Sequence, residues 1–366
     1  MKGKNWGILI LSLFLVDQIH CNTNSAPKSS KISIPTKAIL GAGGVAAALV
    51  GKNILDGPEF KENVDLTGKT IIITGSNTGL GKEAALKLAS LGKPEVFLLC
   101  RNQKKAEAAI QEIISKSGNS NIKFVECDLA DLASVQSAAD KLKSLVTKID
   151  VLQLNSGVMA IPQREVTKDG FEKQLGVNHL GHFKLTKELY PLLKNTKGAR
   201  VVTVSSIAHE FGNIDKTDLL LEKSGSYAPW GAYGNSKLAN ILFSRELNRR
   251  LSQSGNPSQI TSVSLHPGVC RTELYRFIVD QESIPRFLYP VLGVVGAPLF
   301  YFTKDVYMGA QTQIFLSASS NLSPKNGGEY YDNSKVANTN SQAKDPESAR
   351  WLWEESEKLI GGKFDV

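Results

Sequence analysis

Residues Lys69–Ala85 read KTIIITGSNTGLGKEAA, and the fold turns on this stretch. The β-branched run Thr70–Thr74 is a short buried strand. Gly75, Ser76, Asn77, Thr78, Gly79, Leu80 and Gly81 follow it, and a helical pattern then opens. A strand that stops at a glycine-rich turn and opens a helix makes a phosphate site. Backbone N–H groups and the helix N-terminus point at the anion, and the missing side chains let it come close. The spacing is T-G-x-x-x-G-x-G, which is neither the G-x-G-x-x-G dinucleotide fingerprint nor a Walker loop. By itself such a turn also serves as a plain strand–helix connection, so the remainder of the chain has to decide.

Outward from the turn, strand-like and helix-like segments alternate. Glu83–Leu91 is helical, Val96–Leu99 is a second strand and Lys104–Ser117 its helix. Lys123–Val125 is a third strand, ending at Cys127–Asp128–Leu129, and Leu132–Leu145 is helical. Val151–Leu154 is a fourth strand, ending at Asn155–Ser156–Gly157, and Phe171–Leu193 is one long helix containing Asn178. Val201–Val204 is a fifth strand, ending at Ser205–Ser206, followed by a helix over Tyr233–Leu251. Thr261–Leu265 is a sixth, ending at His266–Pro267–Gly268. This order predicts an α/β doubly wound sheet, mostly parallel, with crossover helices. A ligand then sits at the carboxyl ends of the strands, where each of these small-residue clusters falls.

Composition agrees with one large domain plus an extension. The 366 residues are 42% hydrophobic and 21% charged, ordinary for a soluble globular body. The net charge of +8 is spread over helical stretches. No dense Lys/Arg stripe interleaves with aromatics, which argues against nucleic-acid binding. Cys21, Cys100, Cys127 and Cys270 show no C-x-x-C or Cys/His ligand spacing, which argues against a zinc site or a disulfide framework.

The N-terminus reads as targeting. Lys2 and Lys4 precede the apolar run Ile8–Val16, a basic start with a short h-region. That run is short of the ~20 residues a spanning helix uses. Between Asp17 and Asp56 there is no acidic residue, and Cys21–Lys37 is rich in Ser, Thr, Asn, Pro and Lys. The pattern suits an ER-routed chain, either held at the ER membrane or sent on to a plastid by a bipartite leader. A second apolar run, Ala38–Val50, is read as a helical hairpin partner, a membrane-dipping helix or part of the leader. Residues 1–58 are the leader on this reading, and 59–366 the folded domain.

The set of motifs resembles the short-chain dehydrogenases/reductases over about Lys69 to Gly361. It comprises the turn Thr74–Gly81, Asn155–Gly157, Asn178, Ser206, the pair Tyr233-x-x-x-Lys237, and Pro267–Gly268. Cys100–Arg101–Asn102, GVNHLGHF at Gly176–Phe183, LHPGVCRT at Leu265–Thr272 and WLWEESEK at Trp351–Lys358 are similar to the retinol dehydrogenase-like branch. Light-dependent protochlorophyllide reductases are close relatives of that branch. The resemblance implies a Rossmann-type, mostly parallel seven-stranded sheet in a single domain. It also implies a nicotinamide cofactor. Relatives of this fold often form homodimers through the helices after strands four and five.

The chemistry follows from residue types. Tyr233 and Lys237 stand four apart and share a helix face. A free tyrosine, with a pKa near 10, is a poor proton shuttle at neutral pH, and a neighbouring ammonium should lower that value. Tyr233 then gives a proton to a carbonyl oxygen or takes one from an alcohol. By resemblance Lys237 also holds the nicotinamide ribose, and Asn178 supports a water and proton relay to it. Ser206 hydrogen-bonds the substrate oxygen; Ser205 competes for that role, and the family pattern favours the second serine. The insert Glu210–Ala228 is expected to form a loop at the site.

Arg101 follows the second strand, where the adenosine ribose lies in such a fold. An arginine there favours a 2′-phosphate and a carboxylate rejects it, so NADP(H) is preferred over NAD(H). Asp128 is expected at the adenine, with a helix N-cap role as the alternative. The resemblance extends cofactor contact to Asn102, Leu129, Asn155, Ser156, Gly157, Tyr233, Pro267, Gly268, Val269 and Thr272. Where the family commonly has N-N-A-G, this chain has Leu154–Asn155–Ser156–Gly157, with Leu154 expected to pack beneath the turn. Gln153 is out of place in a buried strand. The stretch Ile284–Thr303 is apolar and aromatic but broken by Pro285, Pro290 and Pro298. It falls in a lid expected over about 270–306, suited to a lipophilic substrate or a membrane face. The expected activity is NADP(H)-dependent interconversion of a lipophilic carbonyl and alcohol, of retinoid, steroid or lipid aldehyde type. A protochlorophyllide reductase-like enzyme and a catalytically silent NADP-binding scaffold are the alternatives.

Overall fold

The computed structural model describes residues 52, 55–254, 260–271 and 303–366. The strands are β1 (Thr70–Thr74), β2 (Glu95–Cys100), β3 (Ile122–Glu126), β4 (Val151–Leu154), β5 (Arg200–Val204), β6 (Thr261–His266), β7 (Tyr330–Asp332) and β8 (Lys335–Val336). They form one sheet in the order β3-β2-β1-β4-β5-β6-β7-β8. The first seven are parallel, as expected. The eighth is a two-residue antiparallel addition, Tyr331 pairing with Val336 and Asp332 with Lys335. Asn333 and Ser334, with φ of +50° and +60°, make the tight reversal between them. Only two of its residues pair, too few for a period-2 pattern to mark it in the sequence.

The strand order reverses between β1 and β4, which leaves a crevice at their carboxyl ends. β1 is buried on both faces, and its alternation sorts it between two cores. Ile72, with Phe97 and Leu99, packs with Leu142, Phe183 and Leu189. Ile71 and Ile73, with Val96 and Leu98, pack with Leu88, Ile113 and Ile314. A continuous β-branched run is what a strand covered on both faces requires.

The helices are α1 (Gly79–Ala89), α2 (Gln103–Ser117), α3 (Leu132–Leu145), α4 (173–194), α5 (Pro229–Gln253), α6 (Val306–Ala318) and α7 (Pro346–Leu359). α1 starts four residues before the apolar pattern, because the glycine turn runs directly into its first turn. α5 also starts early: Pro229 occupies its first turn, where a missing N–H is harmless. α4 is one long helix as expected, but it contains a π-turn, Gly176–Leu180, between Lys173–Leu175 and Gly181–Lys194. Asn178 sits in the middle of that turn, a type of irregularity that concentrates at functional sites.

The leader falls almost wholly outside the described residues, as do Thr272 and most of the expected lid. Among the described residues no helix is long and apolar enough to cross a membrane.

Candidate active site

The floor of the crevice is built from the ends of β1 and β4. Gly75 has a φ of +63°, and a Cβ there would lie 2.5 Å from the Ser156 hydroxyl. Gly81 is held by proximity: its Cβ would lie 2.6 Å from the Gly75 carbonyl oxygen. Asn155 Nδ2 donates to the carbonyls of Thr74 (2.9 Å) and Gly75 (3.2 Å), tying the tip of β4 to the turn. The Thr74 hydroxyl accepts from the backbone amides of Asn155 (2.9 Å) and Ser156 (3.0 Å). Ser76 turns inward, donating to the Ile73 carbonyl at 2.7 Å. The first turn of α1 carries no acidic residue, so its dipole end is uncompensated. A cradle this close-set, with amides at a bare helix N-terminus, fits the pyrophosphate of a dinucleotide. Leu154 lies fully buried in the core beneath the turn.

The four residues expected to carry the chemistry come together at the neighbouring strand ends. A Cβ on Gly157 would lie 3.2 Å from Asn178 Oδ1 and 3.4 Å from Lys237 Nζ, so these three meet at one point. Asn178 Oδ1 accepts from the Val158 amide (2.8 Å), while its Nδ2 donates to the Val158 carbonyl (2.9 Å) and Ser236 Oγ (2.8 Å). Lys237 Nζ donates to the Val204 carbonyl at 3.2 Å and stands 5.6 Å from the Tyr233 ring centre. The two serines separate clearly. Ser205 is buried and donates to the Lys237 carbonyl at 2.7 Å, whereas Ser206 hydrogen-bonds the Tyr233 side chain. Met159, Ala160, Ala208 and Trp230 form an apolar wall against Tyr233.

Electrostatics correct one expectation. The Tyr233 phenol is not acidified; burial pushes it up to about 12, with the Ser206 hydrogen bond acting the other way. Lys237 is itself desolvated, and burial brings its ammonium down to about 8. Burial is the largest cause of both shifts; it leaves the phenol neutral and brings the ammonium close to neutrality without discharging it at pH 7. The phenol stays protonated at neutral pH, the state a proton donor needs.

A stability prediction follows. Folded Lys237 binds fewer protons than unfolded lysine between about pH 8 and 10.5, so its cost is full below pH 8 and fades as pH rises to 10.5. Lys237→Met is expected to stabilise the protein at pH 7 by roughly 1–3 kcal/mol. The Val204 carbonyl keeps its bond from Asn240 Nδ2 at 3.0 Å. Thermal unfolding at pH 7 and pH 10.5 checks this: the advantage of the variant should shrink at the higher pH. A variant less stable than the parent at pH 7 rejects it.

The second flank of the crevice is less uniform. Arg101 is exposed at the end of β2. Asn102 is the N-cap of α2, accepting from the Lys105 amide at 2.9 Å. Asp128 does not cap α3: Asp131 does, accepting from the amides of Ala133 and Ser134, while Asp128 accepts from the Ala130 amide. Two turn residues, Leu129 and Ala130, separate Asp128 from Asp131, so the nearer carboxylate takes the cap. Leu129 is buried in the core, and a Cβ on Gly181 of α4 would lie 2.6 Å from its carbonyl oxygen. Pro267, Gly268 and Val269 lie past β6, with Gly268 at φ +89° packed on Lys304 and Val269 exposed.

The 210–228 insert packs beside the site. Tyr227 donates to the Ile161 carbonyl (2.7 Å) and Arg164 to the Leu220 carbonyl (3.0 Å), joining it to the segment after β4. Gln153 also finds its reason: its Nε2 donates to Ser317 Oγ (2.8 Å) and the Gln313 carbonyl (3.3 Å) on α6. Gln313 in turn donates to the Leu80 carbonyl at 2.8 Å. These anchors were not legible beforehand, because they pair residues far apart in sequence.

Comparison with known proteins agrees with this fold. The family model described as short chain dehydrogenase matches residues 69–218. Human retinol dehydrogenase 13 is 39% identical over 333 residues, 91% of this chain and 96% of that protein. Among solved structures, an uncharacterized protein from Mycobacterium paratuberculosis superposes with a TM-score of 0.65 at 33% identity, covering 84% of this chain and all of the other. A short-chain dehydrogenase from Shigella flexneri 2a, solved with NADP, gives 0.54 at 22% identity over 74% of this chain and 99% of its own. At that identity the likeness shows the fold.

Proposed function

Since the chain belongs to the short-chain dehydrogenase family of oxidoreductases, in its retinol dehydrogenase-like branch, we propose that it is an NADP(H)-dependent enzyme acting on a lipophilic carbonyl/alcohol pair. The observation that carries this reading is the convergence of Asn178, Ser206, Tyr233 and Lys237 beside a glycine cradle, against the apolar wall of Met159, Ala160 and Trp230. The wall supports an apolar substrate; the named relative supports a retinoid-type carbonyl over protochlorophyllide.

Gly75, Gly79, Leu80 and Gly81 would hold the pyrophosphate, Asn155–Gly157 and Lys237 the nicotinamide side, and Arg101 the 2′-phosphate. The preference for NADP(H) rests on Arg101, exposed at the end of β2 with no carboxylate beside it in the sequence. When bound, the nicotinamide supplies or receives the hydride. Ser206 orients the carbonyl oxygen and stabilises charge that develops on it. Tyr233 delivers its hydroxyl proton to that oxygen. The phenol is held protonated, the form that donates when a carbonyl is reduced. Lys237 and Asn178 stand behind the phenol, positioned to resupply the proton.

The test is a screen of all-trans-retinaldehyde, medium-chain aldehydes and steroid ketones with NADPH and NADH in parallel. NADPH oxidation with at least one apolar carbonyl is expected. Purified protein that binds NADPH yet reduces none of them favours a silent scaffold instead. Arg101→Asp is expected to lower the NADPH-over-NADH ratio of kcat/KM by roughly 10- to 100-fold, the worth of a charge-assisted contact. An unchanged ratio removes Arg101 from the cofactor site.

A further inference from the structure

His182 lies on α4, one turn beyond Asn178, and is almost wholly buried at 1% exposure. Its Nδ1 is 2.9 Å from the Asn178 carbonyl oxygen, and its Nε2 is 2.9 Å from the Thr74 hydroxyl. The carbonyl only accepts, so Nδ1 carries the proton. Thr74 Oγ1 already accepts two amide protons, from Asn155 and Ser156, which fills its lone pairs. Its own proton then goes to His182 Nε2, nearer than the Gln153 carbonyl at 3.4 Å. A proton on Nε2 would be a third donor facing a filled oxygen. Every polar atom of the network is satisfied in one way only.

We propose that His182 is a positioning residue: its neutral imidazole, donating from Nδ1 and accepting at Nε2, sets the glycine turn and the π-turn of Asn178 in one register. On one side it aims the Thr74 hydroxyl, hence the amides at the tip of β4. On the other it holds the backbone of Asn178, whose side chain meets Gly157 and Lys237. Desolvation keeps the ring neutral, bringing its pKa down to about 4, and the Lys237 charge adds to that. The inference rests on the assignment of these elements to cofactor binding and proton delivery.

Two substitutions separate the two sides of the ring. His182→Asn keeps a donor where Nδ1 stands and loses the Thr74 contact; His182→Gln reaches Thr74 and loses the Asn178 contact. NADPH affinity, by quenching of tryptophan fluorescence, is expected to weaken about tenfold in His182→Asn, with kcat on all-trans-retinaldehyde within about threefold of the parent. His182→Gln is expected to show the reverse, with kcat down about tenfold and affinity within about threefold. Parallel losses of affinity, kcat and melting temperature in both variants would reduce His182 to packing, and no change in either would remove its role. In the unsubstituted protein, ¹⁵N spectra of labelled histidines should show the His182 ring, assigned as the signal absent from both variants and so told apart from His209, whose Nδ1 also faces a carbonyl, as the neutral Nδ1–H tautomer throughout about pH 5 to 8. An Nε2–H tautomer or an imidazolium for that ring overturns the proposal whether or not NADPH binds. Tyr233→Phe, assayed alongside, tests the catalytic assignment separately.

Discussion

Tyr233→Phe is expected to lower kcat roughly 10²- to 10⁴-fold, the range lost when a positioned proton donor is removed. The substitution deletes one hydroxyl from a side chain that is 6% exposed, and the ring keeps its packing on Trp230, 6.1 Å between centres. Ser206 still accepts from the Ala208 amide at 3.2 Å, so the 206–208 turn should stay in place. The amides and carbonyls that shape the glycine cradle are held by Thr74 and Asn155 and not by the deleted hydroxyl, and NADPH affinity should change by less than about threefold, under roughly 0.7 kcal/mol. Steady-state kinetics and a fluorescence titration on the same preparation check both halves. Full activity in the variant rejects Tyr233 as the donor, while loss of NADPH binding with the melting temperature unchanged would place the hydroxyl in cofactor binding instead.

Trp353→Ala is expected to cost about 3–5 kcal/mol of stability, as for other fully buried tryptophans. Trp353 is 1% exposed and meets Phe183 edge-on at 4.9 Å, Phe364 stacked at 4.8 Å and Phe243 stacked at 5.9 Å. Arg250 covers its ring at 4.6 Å, and its indole N–H donates to Glu357 at 3.2 Å. Removing the indole leaves a cavity among rigid rings that cannot collapse into it, and it strips Glu357 of one donor. The site also feels this loss, because Phe183 directly follows His182 on α4, and His179 contacts Ser356 of α7 at 2.8 Å. Urea unfolding of parent and variant measures the effect. A loss below about 1 kcal/mol would mean that α7 lies outside the cooperative core.

Much of the site was legible because its residues mark themselves locally. Glycines that take positive φ or meet a backbone cannot be replaced without strain, so the turn at Gly75–Gly81 stands out in a single sequence. The Tyr233 and Lys237 pair stands out because helical spacing puts both on one face. The choice of Ser206 over Ser205 came from family likeness, and the structure supplies its physical reason: Ser205 spends its hydroxyl on the helix backbone. The expected acidity of Tyr233 was reversed because spacing reveals a neighbour and not the solvent it excludes. For Asp128, expected at the adenine with the cap as the alternative, the structure removes the alternative: two acidic residues precede α3, and only backbone geometry selects Asp131 as its cap.

By itself the sequence determined the alternation of strands and helices, the doubly wound parallel sheet, the glycine turn and the candidate chemistry. Each of these is written in side-chain periodicity or in residues that tolerate few conformations. Only the tertiary structure decided the π-turn at Asn178, the antiparallel eighth strand, the raised pKa of the buried Tyr233 and the lowered pKa of the buried Lys237, and the web joining Thr74 to His182 and Gln153 to α6. These depend on desolvation and on hydrogen bonds between residues up to 164 positions apart, and neither leaves a local trace in the chain.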